Sequence, residues 1–143
     1  MAESQNLKNH QRIVPGFHIV LGIMLFANIF YAAHLLMHGA SAMGIHVLIF
    51  ALSLVLTAWY ARAFALAAQD RVIRLEMRLR VKELAPQLSG RFDELRIGQV
   101  VALRFAGDDE LPLLMQQVLD GKLTKGADIK AAIKNWKADT QRV

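Results

Sequence analysis

The stretch IVPGFHIVLGIMLFANIFYAAHLLMHGASAMGIHVLIFALSLVLTAWYA (residues 13–61) decides the fold, because it contains no Asp, Glu, Lys or Arg over forty-nine consecutive residues. A helix at the surface of a soluble domain shows one face to water and therefore carries charged residues at helical spacing. A helix that crosses a bilayer instead needs about 20 apolar residues in succession. The stretch is long enough for two crossings, and we therefore predict an all-α membrane protein.

The two crossings are separated by a short segment of small residues. We place the spans at residues 17–37 and 45–65, each of which is roughly 31 Å long at 1.5 Å per residue. The link at residues 39–42 is short, so the two spans must be antiparallel neighbours. Residues 14–68 are therefore predicted to form a transmembrane hairpin, preceded by a polar cytoplasmic tail over residues 1–13.

A cleaved signal peptide is the alternative explanation for the first apolar run. Ala40, Ser41 and Ala42 fit the small-residue pattern of a cleavage site. The apolar stretch over residues 14–37 is, however, longer than the hydrophobic region of a usual signal peptide. We therefore keep the hairpin as the prediction.

Basic residues flank the apolar stretch on both sides and are missing from its middle. Lys8 and Arg12 precede the first span, whereas the connecting segment over residues 38–46 has no Lys or Arg. This distribution places both termini in the cytoplasm by the positive-inside rule. Anionic headgroups of the lipid bilayer are the expected first partner of the basic cluster after the second span. The predicted headgroup contacts are Arg62, Arg71, Arg74, Arg78 and Arg80.

The second span is expected to continue out of the membrane as a juxtamembrane helix over residues 69–85. No proline or glycine interrupts residues 45–85, and Pro86 ends the helix. On a helix the apolar residues of this segment form two stripes, which suggests contacts on two sides. The stripes are Val72/Leu75/Leu79 and Ile73/Met77/Val81/Leu84.

Residues 86–143 are predicted to form a small cytoplasmic domain of three short helices. We expect one helix over residues 91–105, one from after Gly107 to Leu119, and one over residues 125–137. The expected core of this tail includes Phe105, Leu111, Ile133 and Trp136.

Three histidines lie in the turn sequence HLLMHGASAMGIH (residues 34–46). His34 and His38 share one helix face, and His46 opens the partner helix, so the three side chains could converge on Zn, Cu or haem. The alternative is that they are polar residues where the hairpin meets water, because no acidic partner of the HExxH kind accompanies them. We expect no cofactor and keep a metal or haem site as an alternative function.

Polar and small residues inside the spans are expected to pack helices against each other. The amide of Asn28 needs a partner in hydrocarbon, and an interhelical hydrogen bond is the expected one. Ser53, Thr57, Ala61 and Ala65 are small and spaced by four, which lets helix backbones approach closely. This small stripe would serve packing within one hairpin or self-association. We favour a homo-oligomer or a subunit of a larger membrane complex.

Several classes of function lack support in the sequence. The chain has no cysteine, no GxSxG sequence and no glycine-rich phosphate loop, and we therefore predict a protein that is not an enzyme. The pI is about 9.9, but acidic residues at 108–110 dilute the basic tail, so we expect no nucleic acid partner. A homo-oligomeric channel lined by the second span is the alternative, since small mechanosensitive channels share this layout. Ser53 and Thr57 offer such a pore only a limited polar face.

Three segments carry a resemblance to a known family: QDRVIRLEMRLR (69–80), ALRFAGDDELPLL (102–114) and DIKAAIKNWKADTQRV (128–143). Together with the hairpin they resemble a bacterial family of short membrane proteins catalogued only as a domain of unknown function. The resemblance implies an inner-membrane protein with two spans and a cytoplasmic helical tail, and it implies no activity, ligand or catalytic residue. The chain departs from the family at Ala138, where proline is usual.

Overall fold

The structure, a computed structural model, describes residues 6–7 and 14–138. The chain divides into two compact units, with the boundary between Ala65 and Leu66. We call residues 14–65 the hairpin unit, and residues 66–138 with Asn6 and Leu7 the tail unit. Within the described ranges the regular secondary structure is helical, which confirms the predicted all-α class, and the one β-bridge joins Ala106 to Trp136. Most of the predicted polar tail over residues 1–13 lies outside the described residues.

The hairpin unit begins with a π-helical turn, Gly16–Val20, which follows Pro15 and leads directly into helix α1, Leu21–Met37. Helix α2 spans Ser41–Leu84 and supplies residues to both units. The chain reverses between α1 and α2 at Gly39, whose φ of +85° is accessible to glycine at little cost. The predicted link at residues 39–42 is therefore shorter in the structure, because α2 already starts at Ser41.

Two helices of the described chain, Gly16–Met37 and Ser41–Leu84, are long and apolar enough to cross a membrane. A buried core helix of a soluble protein, or a signal sequence near the N-terminus, satisfies the same criteria of length and composition. Over the most apolar 18 residues of each helix, however, only 6% and 11% of the residues are buried, whereas a core helix of a soluble protein would be mostly buried.

Small residues allow close packing inside the hairpin unit. Ala32 of α1 and Ala51 of α2 are fully buried. A Cβ atom added to Gly44 would lie 2.7 Å from Cγ of Leu36 and 3.0 Å from its backbone nitrogen. The absence of a side chain at Gly44 therefore lets α2 approach the end of α1 next to the turn.

Helix α2 ends at Leu84, before Pro86, as the sequence predicts. Pro86 then opens a 3₁₀ helix, Pro86–Glu94, which is followed by helix α3, Ile97–Leu103. The predicted single helix over residues 91–105 is therefore wrong. The backbone turns extended at Leu95, whose side chain is buried at 3% exposure and whose carbonyl accepts a hydrogen bond from Arg74.

The last two helices are α4, Leu111–Leu119, and α5, Gly126–Ala132. Helix α4 ends at Leu119 as predicted but begins at Leu111, later than the predicted start after Gly107. Gly121 adopts a left-handed φ of +75° after it. The predicted third helix over residues 125–137 is too long. It stops at Ala132 because the following backbone bonds to other elements, as in the hydrogen bond of 2.8 Å from the backbone nitrogen of Lys137 to the carbonyl of Phe105.

The core of the tail unit lies between the end of α2 and the shorter helices. Phe105 and Leu111 are buried at 1% and 0% exposure and Ile133 at 7%, while Trp136 packs against the cluster with its ring centroid 5.2 Å from that of Phe105. The remaining buried core residues are Ile73, Met77, Val81, Ala85, Leu88, Phe92, Leu95, Val100, Ala102, Leu103, Ala106, Leu114, Met115, Val118 and Ile129.

Candidate functional site

The part of α2 in the tail unit has two apolar faces with opposite environments. Ile73 and Met77 are buried at 5% and 3% exposure and form an inner face against the tail core. The other predicted stripe is open, with exposures of 55% to 60% at its three large residues. Together with the exposed Ala68 these residues form what we call the outer stripe: Ala68, Val72, Leu75 and Leu79. The structure therefore supplies a partner for one of the two stripes.

Arg80 fastens the inner side of α2 to the loop that follows α3. Its side chain is 15% exposed, and its guanidinium group donates to the backbone carbonyls of Arg104 at 3.1 Å and Ala106 at 2.5 Å. The same group forms an ion pair with the carboxylate of Asp108, with an N–O distance of 2.7 Å. The planar guanidinium group presents its donors to these acceptors in a fixed geometry, which the ammonium group of a lysine does not offer. Arg80 thus has a structural role within the tail unit, while its headgroup contact stays a prediction.

Two further arginines of the predicted headgroup set also contact the tail unit. Arg74 donates to the carbonyl of Leu95 at 3.1 Å, and Arg78 forms an ion pair with Asp93. The two others have no such role: Arg71 is exposed and Arg62 is half-buried. Only Arg62 and Arg71 therefore remain as predicted headgroup contacts with no other assigned partner in the described residues.

Two acidic residues before α4, Asp108 and Glu110, bond to segments that are distant in the sequence, a role that the sequence analysis missed. Asp108 accepts hydrogen bonds from Lys137 at 3.0 Å and from Arg80 at 2.8 Å, and these two cations lower the pKa of its carboxyl group, Lys137 with the larger effect. The carboxylate of Glu110 accepts from the backbone nitrogens of Lys134 and Asn135, both at 3.1 Å. Because these partners are more than twenty residues away, no local spacing pattern reveals them.

The predicted packing residues of the spans make hydrogen bonds within their own helices. The amide of Asn28 donates to the carbonyl of Met24 at 2.9 Å, and the hydroxyls of Ser53 and Thr57 donate to carbonyls four residues earlier at 2.8 Å. Ser53, Thr57, Ala61 and Ala65 are exposed, whereas the buried small residues of α2 in the hairpin unit are Gly44 and Ala51. The small stripe therefore lies off the face that packs in the hairpin.

The structure brings two of the three turn histidines together. The ring centroids of His34 and His38 are 4.3 Å apart, while Nδ1 of His46 lies 2.7 Å from the carbonyl oxygen of Ala42 in its own helix. Among the described residues no three His, Cys, Asp or Glu side chains are grouped so that they could hold a metal ion. The pair of rings alone offers too few ligands for a closed zinc site.

An open groove of about 660 Å³ lies on the tail unit beside the acidic residues. Two of its lining side chains, Asp108 and Lys137, already bond to each other. The lining residues are Asn6, Gly107, Asp108, Lys134, Asn135, Trp136 and Lys137.

Comparison with known proteins places the chain in a family. The family model described as "Family of unknown function (DUF6526)" matches residues 1–143. Neither the curated proteins nor the solved structures gave a match. The predicted resemblance to a family of unknown function is confirmed, and the match extends beyond the three segments that suggested it. This chain belongs to the DUF6526 family.

Proposed function

We propose that this chain is a non-enzymatic protein of the bacterial inner membrane that self-associates, either alone or as a subunit of a larger complex. The observation that carries the proposal is the exposure of large apolar side chains on the charge-free stretch of the hairpin unit, such as 73% for Phe30 and 71% for Trp59. Each square ångström of apolar surface left in water costs about 25 cal/mol. Lipid removes this cost, and a bilayer is therefore the environment that suits the hairpin unit.

The distribution of charge supports an orientation with both termini in the cytoplasm. Residues 13–61 carry no formal charge, whereas basic residues flank them on both sides. Positively charged flanks are retained on the cytoplasmic side. In this orientation Arg62 reaches anionic headgroups of the inner leaflet.

Two surfaces support self-association. The small stripe of the second span is exposed, and its two hydroxyl groups bond within their own helix, so a second helix can approach without leaving polar groups unsatisfied. The tail unit also leaves the outer stripe uncovered. A membrane protein that presents such a surface in each of its two units fits an assembly better than a solitary chain.

The first experiment measures the mass of the assembly. The full chain, reconstituted in nanodiscs that contain anionic lipid, is analysed by native mass spectrometry. We expect protein masses at a whole-number multiple of 16.0 kDa greater than one. A protein that stays at 16.0 kDa at every loading would overturn self-association.

The second experiment tests the orientation and uses the absence of cysteine in the chain. Single variants Ser41→Cys, in the turn, and Ser89→Cys, in the tail unit, are treated with a membrane-impermeant thiol reagent. We expect the turn variant to react in spheroplasts and the tail variant to react only after lysis. The reverse pattern would contradict the orientation, and reaction of both in intact spheroplasts would contradict the hairpin.

A further inference from the structure

The outer stripe has the spacing of a coiled-coil seam. Ala68, Val72, Leu75 and Leu79 are separated by four, three and four residues, which is the alternation of heptad positions d, a, d and a. The four residues are exposed within the tail unit. The tail core covers the opposite side of the helix through Ile73 and its neighbours, so the seam is accessible to another chain.

The charges that flank the seam indicate which chain this is. With Val72 at position a, Arg71 falls at position g and Glu76 at position e, and the next heptad repeats the pattern with Arg78 and Glu83. In a parallel pair of such helices, position g of one chain lies beside position e of the other, five residues further on. Each arginine would therefore meet a glutamate, whereas an antiparallel pair would bring like charges together.

The flanking groups are available for these contacts. Among the described residues, no ion pair or side-chain hydrogen bond is found for Arg71, Glu76 or Glu83, all of which are exposed. Arg78 is already paired with Asp93 and retains 49% exposure. Arg71 and Glu76 are therefore the pair that determines orientation most directly.

We propose that the outer stripe binds the same stripe of a second copy as a parallel, in-register, two-stranded coiled coil. Arg71 then pairs with Glu76 of the partner subunit. The inference rests on the proposed function, since it assigns the surface and geometry of that self-association. In the central heptad, valine at position a (Val72) with leucine at position d (Leu75) favours two strands. The seam is short, and membrane anchoring compensates by raising the local concentration of the second copy.

Cysteine cross-linking in the full chain in nanodiscs tests the seam. Ala67 and Ala68 are adjacent, of the same type and both exposed, but only Ala68 lies on the outer stripe. With mild oxidant we expect the Ala68→Cys variant to form disulfide-linked dimers at least about tenfold faster than the matched control Ala67→Cys, because only core positions bring equal-numbered Cα atoms within about 7 Å. Equal rates, or none for Ala68→Cys, would overturn the seam.

Charge exchange tests the parallel orientation. In the Ala68→Cys background, Arg71→Glu alone or Glu76→Arg alone should reduce cross-linking about tenfold, because two attractive pairs become repulsive in each dimer. The double variant should restore it, and so should mixing the two single variants before reconstitution, which yields mixed dimers. Failure of both restorations would overturn the parallel pairing.

These results separate the inference from the proposed function. A nanodisc assembly larger than one chain that gives no cross-link at Ala68→Cys would retain self-association and remove the coiled coil. A monomer in the same nanodiscs would remove both.

Discussion

Replacing Arg80 should weaken the tail unit more than replacing any exposed arginine of the same helix. The Arg80→Met substitution keeps most of the aliphatic packing but removes the donors to the carbonyls of Arg104 and Ala106. Hydrogen bonds that involve a charged group contribute about 1.5–3 kcal/mol each. The ion pair with Asp108, whose side chain is 54% exposed, contributes at most about 1 kcal/mol. Since part of the loss is recovered when water reaches the carbonyls, we expect Arg80→Met to lower the unfolding free energy by about 3 kcal/mol.

Two comparison variants show whether the geometry of the guanidinium group matters. Arg80→Lys keeps the charge but reaches fewer acceptors, and should cost about 1–2 kcal/mol. Arg78→Met removes an exposed ion pair on the same helix and should cost about 1 kcal/mol or less.

The measurement is urea unfolding of the full chain in nanodiscs, followed by the fluorescence of Trp136 in a Trp59→Phe background. Trp136 packs against the tail core, so its emission reports on this unit. The reasoning about Arg80 is refuted if Arg80→Met lowers the unfolding free energy by less than about 0.5 kcal/mol, the usual range for a surface change. It is equally refuted if Arg80→Lys behaves as the wild type.

Other predictions concern single contacts in the two units. Glu110→Ala should destabilise the tail unit by about 1 kcal/mol, because the backbone nitrogens of Lys134 and Asn135 lose their acceptor but belong to exposed residues that water reaches, and the same urea assay measures it. The pKa of Asp108 is lowered in the folded state, so its stabilising contribution is present above its ordinary pKa of 3.8 and is lost as pH falls through the folded value. Asp108→Asn should therefore make the unfolding free energy fall less steeply as the pH is lowered. An unchanged fall would contradict this. Gly44→Leu should open the hairpin unit, because the leucine side chain would overlap Leu36. Circular dichroism in increasing SDS should then show the helical signal falling at a lower SDS concentration than in the wild type. Purified protein should carry less than one equivalent of Zn or Cu and no Soret band, and replacing the histidines of residues 34–46 with alanine should leave the number of chains per nanodisc unchanged.

The sequence predicts those parts of the fold whose causes are local. A charge-free run, a proline after Leu84 and glycines at the turns each act within a few residues, and the helix ends at Leu84 and Leu119 follow from them. The two stripes of the juxtamembrane helix are also visible in the sequence, since helical periodicity alone separates them.

The parts that sequence reasoning misses depend on partners far along the chain. The break at Leu95 arises because its side chain enters the core while its carbonyl meets Arg74, twenty-one residues earlier. Helix α5 ends early because the carboxylate of Glu110 accepts hydrogen bonds from the backbone nitrogens of Lys134 and Asn135, which a longer helix would have used. The arginines after the second span look alike in sequence, and only tertiary contacts separate Arg80 from the exposed Arg71.

The inner face of α2 lies far in the sequence from the last segments that cover it, and this has a consequence for biosynthesis. Ile73 and Met77 leave the ribosome roughly sixty residues before Trp136, and at about 5–20 residues per second this is an interval of roughly 3–12 s. During that time the inner face of the nascent helix lacks part of the core that covers it in the folded tail unit, and the outer stripe is uncovered as well. A neighbouring nascent chain or a chaperone can bind either face during this interval. Until the final segment emerges, such a partner competes with the tail helices for the inner face.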